Sequence, residues 1–291
     1  MNKTGTRPPN LVEKRINMFH SKTPISLDAL VNYAPSALAS EPHSSRSNRY
    51  GFQSTVEVIR ALQSEGFEIF SASESGSNVH SGFQKHMIRF RHAAALSQQA
   101  IVGGVVPELV LINSSDGSST YKLLGGLFRF VCSNGMVVAD TLIQSIKVRH
   151  TVNMIQDVLE ASINIAAQTT DVLNVMDMWK MLQLADGEQM ALAIAAHHMR
   201  FADSEGHVNT AIRPEQLLQI RREEDRGSDL WSTHNRIQEN VIKGGLTARA
   251  VTPSGGRGRR IATREVREIS TDVKLNQALW TLSSELAKLK G

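Results

Sequence analysis

Lys85-His86-Met87-Ile88-Arg89-Phe90-Arg91-His92 and Pro107-Glu108-Leu109-Val110-Leu111-Ile112-Asn113 set the fold class of this 291-residue chain. Side chains alternate across a strand. In the first stretch Ile88 and Phe90 share a face with His86 and His92, while Lys85, Met87, Arg89 and Arg91 share the other. The second stretch is a continuous apolar run, as a buried central strand requires. Ser114-Ser115-Asp116-Gly117-Ser118-Ser119 reads as a hairpin turn centred on Asp-Gly. Tyr121 to Val131 is the return strand, with Gly125-Gly126 as an expected bulge. Asn134-Gly135 is an expected tight turn before Met136-Val137-Val138. Ile146 to His150 repeats the split, with Ile146 and Val148 opposite Lys147 and Arg149.

Upstream, Ser54 or Thr55 caps a predicted helix running to about Ser64 and ended by Gly66, followed by a strand over Phe67–Ala72. Residues 1–49, broken by Pro8-Pro9, Pro24, Pro35 and Pro42, read as a partly disordered N-terminal tail. Its short apolar pieces, such as Ile25, Leu27 and Leu30, are candidates to dock on the body.

Downstream of Val152 the period becomes helical. Ile155, Leu159, Ile163 and Ala166 form one stripe, and Val172, Val175, Met176, Trp179 and Leu182 the next. Helices are predicted over Glu188–Phe201, Asp229–Lys243 (ended by Gly244-Gly245) and Asp272–Leu289, with Thr252–Arg260 as a loop. Pro214 occupies an expected first helical position.

Composition narrows the class. Hydrophobic residues at 41% and charged residues at 21% suit a globular chain and rule out wholesale disorder. No apolar stretch approaches the roughly 18 residues of a membrane span, and no secretory core follows Met1, so a cytoplasmic protein without membrane contact is expected. The single cysteine, Cys132, excludes an internal disulfide and reads as structural.

The net charge is only +4, but it is unevenly spread. Residues 1–150 carry 15 Lys/Arg against 10 Asp/Glu, residues 151–212 carry 2 against 8, and residues 213–291 carry 15 against 10. Fields follow such patches more than the sum. The densest is Gly255-Gly256-Arg257-Gly258-Arg259-Arg260 with Arg236, Lys243, Arg249, Arg264 and Arg267 around it. Planar guanidinium suits phosphate, and each neutralised phosphate adds salt-dependent affinity.

No catalytic signature accompanies these cations. His197-His198 point to different faces of a helix, and His86, His92 and His150 lack a carboxylate–histidine spacing for metal. The Ser114–Ser119 turn lacks the Walker spacing, and no dinucleotide or nucleophile-elbow motif is present. No cofactor and no enzymatic activity are expected. A metal-dependent nuclease would need clustered carboxylates, of which the sheet region offers only Glu68, Glu74, Glu108, Asp116 and Asp140.

Pro107–Gly117 and Gly126-Leu127-Phe128-Arg129-Phe130-Val131-Cys132-Ser133-Asn134-Gly135 resemble an uncharacterised phage- and plasmid-like family, the YafZ/YfjQ-like domain of unknown function. Asp229-Leu230-Trp231, Asn235–Asn240 and Asp272–Trp280 resemble its C-terminal signature, and the likeness runs from about Tyr50 to Leu289. His234 stands where that pattern leads one to expect an aromatic residue. The resemblance implies residence on plasmids, prophages or integrative elements and transfers no catalytic residue. More loosely, helix, antiparallel sheet and long helix resemble the layout of Rad52-type annealing proteins, a fold-level analogy.

The expected architecture is α+β. It comprises the tail 1–49, an antiparallel β-rich core 50–150 packed on helices, an acidic helical layer 151–212, and a basic helical region 213–291. The expected function is non-enzymatic DNA binding for a mobile element, with single-strand binding or annealing by a homo-oligomer as its specific form. Lys85, Arg89, Arg91, Lys147 and Arg149, with Arg129 beside them, would hold phosphates along an open sheet face. Phe83 and Tyr121 are the nearest stacking candidates. Arg236, Lys243, Arg257, Arg259 and Arg260 would clamp or steer the strand. A competing arrangement pairs the sheet arginines with carboxylates, and an alternative function is a protein-interaction module, such as a host-defence inhibitor, that uses the acidic layer.

Overall fold

The structure is a computed structural model that describes residues 19–21, 23–47, 50–76, 79–93, 104–130, 134–138, 146–148, 154–251 and 257–290. The architecture is α+β. Seven strands form one antiparallel meander: β1 (Phe19–His20), β2 (Phe67–Glu74), β3 (His86–His92), β4 (Val105–Asn113), β5 (Tyr121–Arg129), β6 (Asn134–Val137) and β7 (Ile146–Val148). They pair in chain order to β6, and β7 pairs the other half of the β5 edge. Among the described residues the helices that accompany the sheet are α1 (Thr55–Ser64), α2 (Met154–Met181), α3 (Asp186–Phe201), α4 (Leu230–Lys243) and α5 (Ile269–Lys290).

The predicted turn at Ser114–Ser119 closes β4 onto β5. Gly117 takes φ +72°, and the Asp116 carboxylate accepts from the Ser118 amide at 2.8 Å. Partial burial disfavours that carboxylate, but hydrogen bonds from Ser118, His80 and Ser114 outweigh it and hold its pKa below the ordinary value.

Both sheet faces are covered. Ile88, Phe90, Leu109, Leu111, Leu123 and Leu127 belong to the main core, with α1 residues Val58, Ile59 and Leu62. Met87, Val110, Ile112, Leu124 and Val137 form a second, smaller core capped by Ile269 and Val273 at the start of α5. The expectation of an open basic face fails here, because the apolar residues interleaved with Arg89 and Arg91 need cover too.

Three local readings are corrected. Gly125-Gly126 is not a bulge: the β4–β5 register runs unbroken through Leu109↔Gly125 and Glu108↔Gly126, and the shift lies in β2 between Ile69 and Ser71. Asn134-Gly135 is strand, with Gly135 opposite Phe128. The first stripe on α2 is displaced, since Val158, Ala161 and Ile165 are buried and Ile163 is 56% exposed. Upstream, Leu30 and Ala37, on the 3-10 turns Leu27–Asn32 and Pro35–Leu38, and Ala34 between them are buried in the main core, with Leu30 docked as its apolar character suggests.

Those turns dock through polar contacts as well. The Ser36 amide donates to Glu74 at 3.0 Å, and the Ser36 hydroxyl lies 3.2 Å from His86 Nδ1. Thr55 Oγ1 meets His86 Nε2 at 3.0 Å on the other side. Burial lowers the His86 pKa to about 4, so the ring is neutral and joins tail, helix and sheet.

The predicted Asp229–Lys243 helix is present, with Asp229 as N-cap accepting from the Ser232 amide at 2.8 Å and Gly244 (φ +64°) ending it. It is buried on every side up to Ile242. Its polar residues are therefore matched: Gln238 Nε2 donates to Asn276 at 2.8 Å, and Asn240 Nδ2 to the Leu217 and Gln219 carbonyls at 2.9 Å. His234 sits among Trp179, Trp231 and Trp280, stacked on Trp231 at an interplanar angle of 8°. Burial and the nearby Arg129 charge push its pKa down to about 3, so a neutral imidazole fills an aromatic position.

Candidate nucleic-acid interface

The eleven cations singled out in the sequence divide sharply by environment. Arg89 and Arg91 are fully buried. Arg89 Nη1 donates to Glu108 Oε2 at 3.0 Å and to the Met136 carbonyl at 3.2 Å, while Arg91 Nε donates to Glu108 Oε1 at 2.9 Å. The Arg91 guanidinium lies 4.2 Å from the Phe70 ring centroid and 4.0 Å from that of Phe128. Burial depresses its pKa against the opposing pull of Glu108.

Gly126 and Gly135 make this arrangement possible. A Cβ on Gly135 would fall 2.7 Å from Arg89 Cζ, and one on Gly126 would fall 2.8 Å from Val110 Cγ2. The glycines read as turn and bulge signals are thus space for a guanidinium. Arg129 is buried too and pairs with Asp225 at 2.7 Å. Arg236 is buried, its Nη2 donating to Gln189 at 2.8 Å. These four arginines are structural, and their assignment as phosphate contacts is withdrawn. Each occupies an alternating or helical position that the fold covers, and a carboxylate or amide oxygen compensates it there. Lys243 is half-buried and already engaged. Arg149 and the Arg257 side chain lie outside the described residues.

Tyr121 is also removed from the surface. Its hydroxyl donates to the Gln53 carbonyl at 3.0 Å, and burial raises its pKa. Phe83 is half-buried, edge-on to His43 at 5.2 Å. His86 and His92 lie at opposite ends of β3 and do not converge; His150 and Cys132 lie outside the described residues. Among the described residues no three His, Cys, Asp or Glu side chains cluster as metal ligands, and no helix is long and apolar enough to cross a membrane.

Two groups of cations remain open to solvent. The first is a hairpin that the sequence reading takes for a loop. β8 (Thr247–Val251) pairs β9 (Arg257–Ala262), with Ala248 opposite Ile261 and Arg249 opposite Arg260. Ala248 and Ile261 pack toward the main core. Arg249, Arg259 and Arg260 are exposed and make no ion pair with a described residue. Like charges directly opposite across strands are unfavourable. Arg249 was legible only as part of the basic cluster, since its pairing with Arg260 depends on the hairpin register.

The second group lines a groove between the sheet's second face and α5. Lys85, Lys122, Lys147 and Lys274 surround Ile112, Leu124, Ile269 and Val273, enclosing about 470 Å³. Lys122 and Lys147 are register partners, so a second like-charged pair stands across β5 and β7. Lys85 and Lys147, named from the sequence, are brought together here; Lys122 and Lys274 were missed. Lys122 is the second residue of a strand read for its apolar residues, and Lys274 arrives from a helix far away in sequence.

The sequence matches the family described as Domain of unknown function (DUF932) over residues 42–280. The chain belongs to this family. DUF932 relatives include "UPF0380 protein YafZ" of Escherichia coli (strain K12), 37% identical over 275 residues that cover 93% of this chain and 94% of the relative. "UPF0380 protein YfjQ" of the same organism is 36% identical over 272 residues, with 93% and 94% covered. No solved structure matches the chain.

Proposed function

We propose that this DUF932 protein is a non-enzymatic DNA-binding protein of a mobile genetic element, contacting the phosphate backbone through the β8–β9 hairpin. The observation that carries this reading is the exposed Arg249–Arg260 cross-strand pair, with Arg259 beside it and no carboxylate of the described residues bound to any of the three. Forked guanidinium donors on a two-stranded ribbon fit phosphate oxygens, and an anion between them would relieve their repulsion. Residence on a mobile element rests on the resemblance of Pro107–Gly117 and the C-terminal segments to phage- and plasmid-borne proteins. The annealing form rests on layout alone. Stacking platforms for unpaired bases would favour it, and among the described residues Phe83 and Tyr121 do not supply one.

The test is a filter-binding titration with single- and double-stranded DNA of equal length at several salt concentrations. The doubly substituted Arg249→Gln/Arg260→Gln protein is expected to bind both more weakly and to lose about two units from the log–log salt slope, one per phosphate contact. An unchanged slope would remove the hairpin from the interface.

A second reading draws on α2, where Ile163, Met178 and Met181 are 56%, 55% and 76% exposed within the acidic 151–212 layer. A contiguous exposed apolar patch marks a protein contact, and Met178 and Met181, three residues apart, are neighbours on one face of α2. Under that reading the partner of a protein-interaction module survives nuclease treatment in a pull-down and is lost on Met181→Glu.

A further inference from the structure

The groove between β3, β5, β7 and α5 has a composition that packing does not require. Its floor is apolar: Ile112, Leu124 and Ile269 are nearly fully buried members of the second core, and Val273 packs on them. Its rim is a ring of ammoniums: Lys85, Lys122, Lys147 and Lys274. Ser119, Ser270 and Thr281 add hydroxyls, and among the described residues no carboxylate lines the space. Glu268, next to it in sequence, turns its carboxylate to the Ser270 and Thr271 amides. Lys122, Lys147 and Lys274 make no ion pair with a described residue, and Lys85 Nζ donates to the Ser270 hydroxyl at 2.7 Å.

Four like charges around one apolar floor repel each other. The charge clusters at Glu108, Asp225 and Asp116 each hold opposite charges or donors. The groove, like the β8–β9 hairpin, concentrates one sign. We propose that it binds a nucleoside polyphosphate, the base and sugar lying on Ile112, Leu124 and Val273 and the phosphates between the lysines.

The volume, about 470 Å³, falls within the usual range for sites of small ligands. A triphosphate gathers several negative charges at one place, as four lysine point charges demand. A DNA strand spreads one charge per nucleotide along its length. The small ligand is therefore favoured over the strand for this groove, and the inference stands apart from the hairpin's role in DNA binding.

The experiment uses the full chain with ATP, tripolyphosphate and adenosine as probes, read by calorimetric titration. ATP is expected to bind, tripolyphosphate more weakly, and adenosine not measurably. Lys122→Gln/Lys274→Gln is expected to weaken ATP at least tenfold, whereas Lys180→Gln, which removes the same charge from α2, changes nothing. An azido-ATP photolabel on the unsubstituted protein is expected to mark peptides around 119–124 or 269–281, independently of any variant. The proposal is overturned if ATP does not bind, if tripolyphosphate or adenosine alone matches it, if the lysine variant binds it equally, or if the label lands elsewhere. It is equally overturned if a short oligonucleotide, and not ATP, depends on Lys122 and Lys274, since the groove would then be part of a strand path. A loss of DNA binding through the hairpin variants leaves these outcomes untouched.

Discussion

Glu108 holds two guanidiniums on one carboxylate, and neither of the two contacts reaches solvent: its side chain and those of Arg89 and Arg91 are all 0% exposed. Such a cluster persists because removing any member strands the others. Glu108→Gln is expected to destabilise the fold by about 3–5 kcal/mol, measured by urea denaturation, as two buried cations lose their shared partner. A change below about 1 kcal/mol would mean that Arg89 and Arg91 reach water. His234 offers a separate test. Its folded-state pKa, about 3, lies below the ordinary 6.5. The unfolded chain therefore takes the proton first, and stability contributed by the neutral ring is lost as pH falls below 6.5. At pH 4.5 this amounts to about 2–3 kcal/mol. His234→Phe removes that loss, so its urea midpoint should change less between pH 7 and pH 4.5, although it gives up the 2.8 Å Nδ1 contact with Ser283. His86, also held neutral, retains its own acid-side loss in both proteins. Asp272 works in the opposite direction. Burial raises its carboxyl to about 6 against the pull of Arg89, so its contribution is greatest below pH 4 and falls as pH rises toward 6.

The β8–β9 hairpin shows stability set against recognition. Arg249 and Arg260 face each other where opposite charges would be favourable. Arg249→Glu is expected to stabilise the protein by a few tenths to about 1 kcal/mol through a cross-strand ion pair, and at the same time to weaken DNA binding more than Arg249→Gln does. Thermal midpoints and anisotropy titrations on the same samples check both halves; a stabilised variant with full DNA affinity would dissociate the hairpin from binding. How much of this was legible depends on the range of the signal. The strand Lys85–His92, the Asp-Gly turn, and the extent and glycine stop of α4 are local patterns, and they stand as read. The fate of the basic face was not local. Alternation places Lys85, Met87, Arg89 and Arg91 on one side, but whether that side meets water depends on Ile269 and Val273, nearly two hundred residues downstream. Glu108 stood in view inside the apolar run, and a lone carboxylate at a position predicted to be buried was the available sign that a cation must come to it. Gly126 and Gly135 misled for a related reason: glycine signals close approach as readily as turning.

The segmentation into tail, sheet, acidic layer and basic region follows composition, whereas the packing crosses every one of those boundaries. A single apolar core runs from Leu30 through Ile59, Leu111 and Val158 to Trp280. α2 is the element that joins its ends. Val158, Ala161 and Ile165 lie in that core, and Trp179, in the last turn of α2, sits 4.7 Å from the Trp280 ring and 6.4 Å from that of Trp231. Arg129 on β5 adds a buried ion pair to Asp225 in the 3-10 turn Glu223–Asp225, tying the sheet to the helical region a second time. Elements sharing one core lose their burial together, so the chain is expected to unfold as one cooperative unit. The three tryptophans report on the helical half, and hydrogen exchange of β3, β4 and β5 peptides reports on the sheet. Their urea midpoints should coincide in the native protein. Arg129→Ala, which leaves Asp225 buried without its partner, should move both midpoints down together by the equivalent of about 3–5 kcal/mol. Two separated transitions, or a shift confined to one probe, would show that the sheet and the helical region fold independently and that α2 is a tether between two bodies.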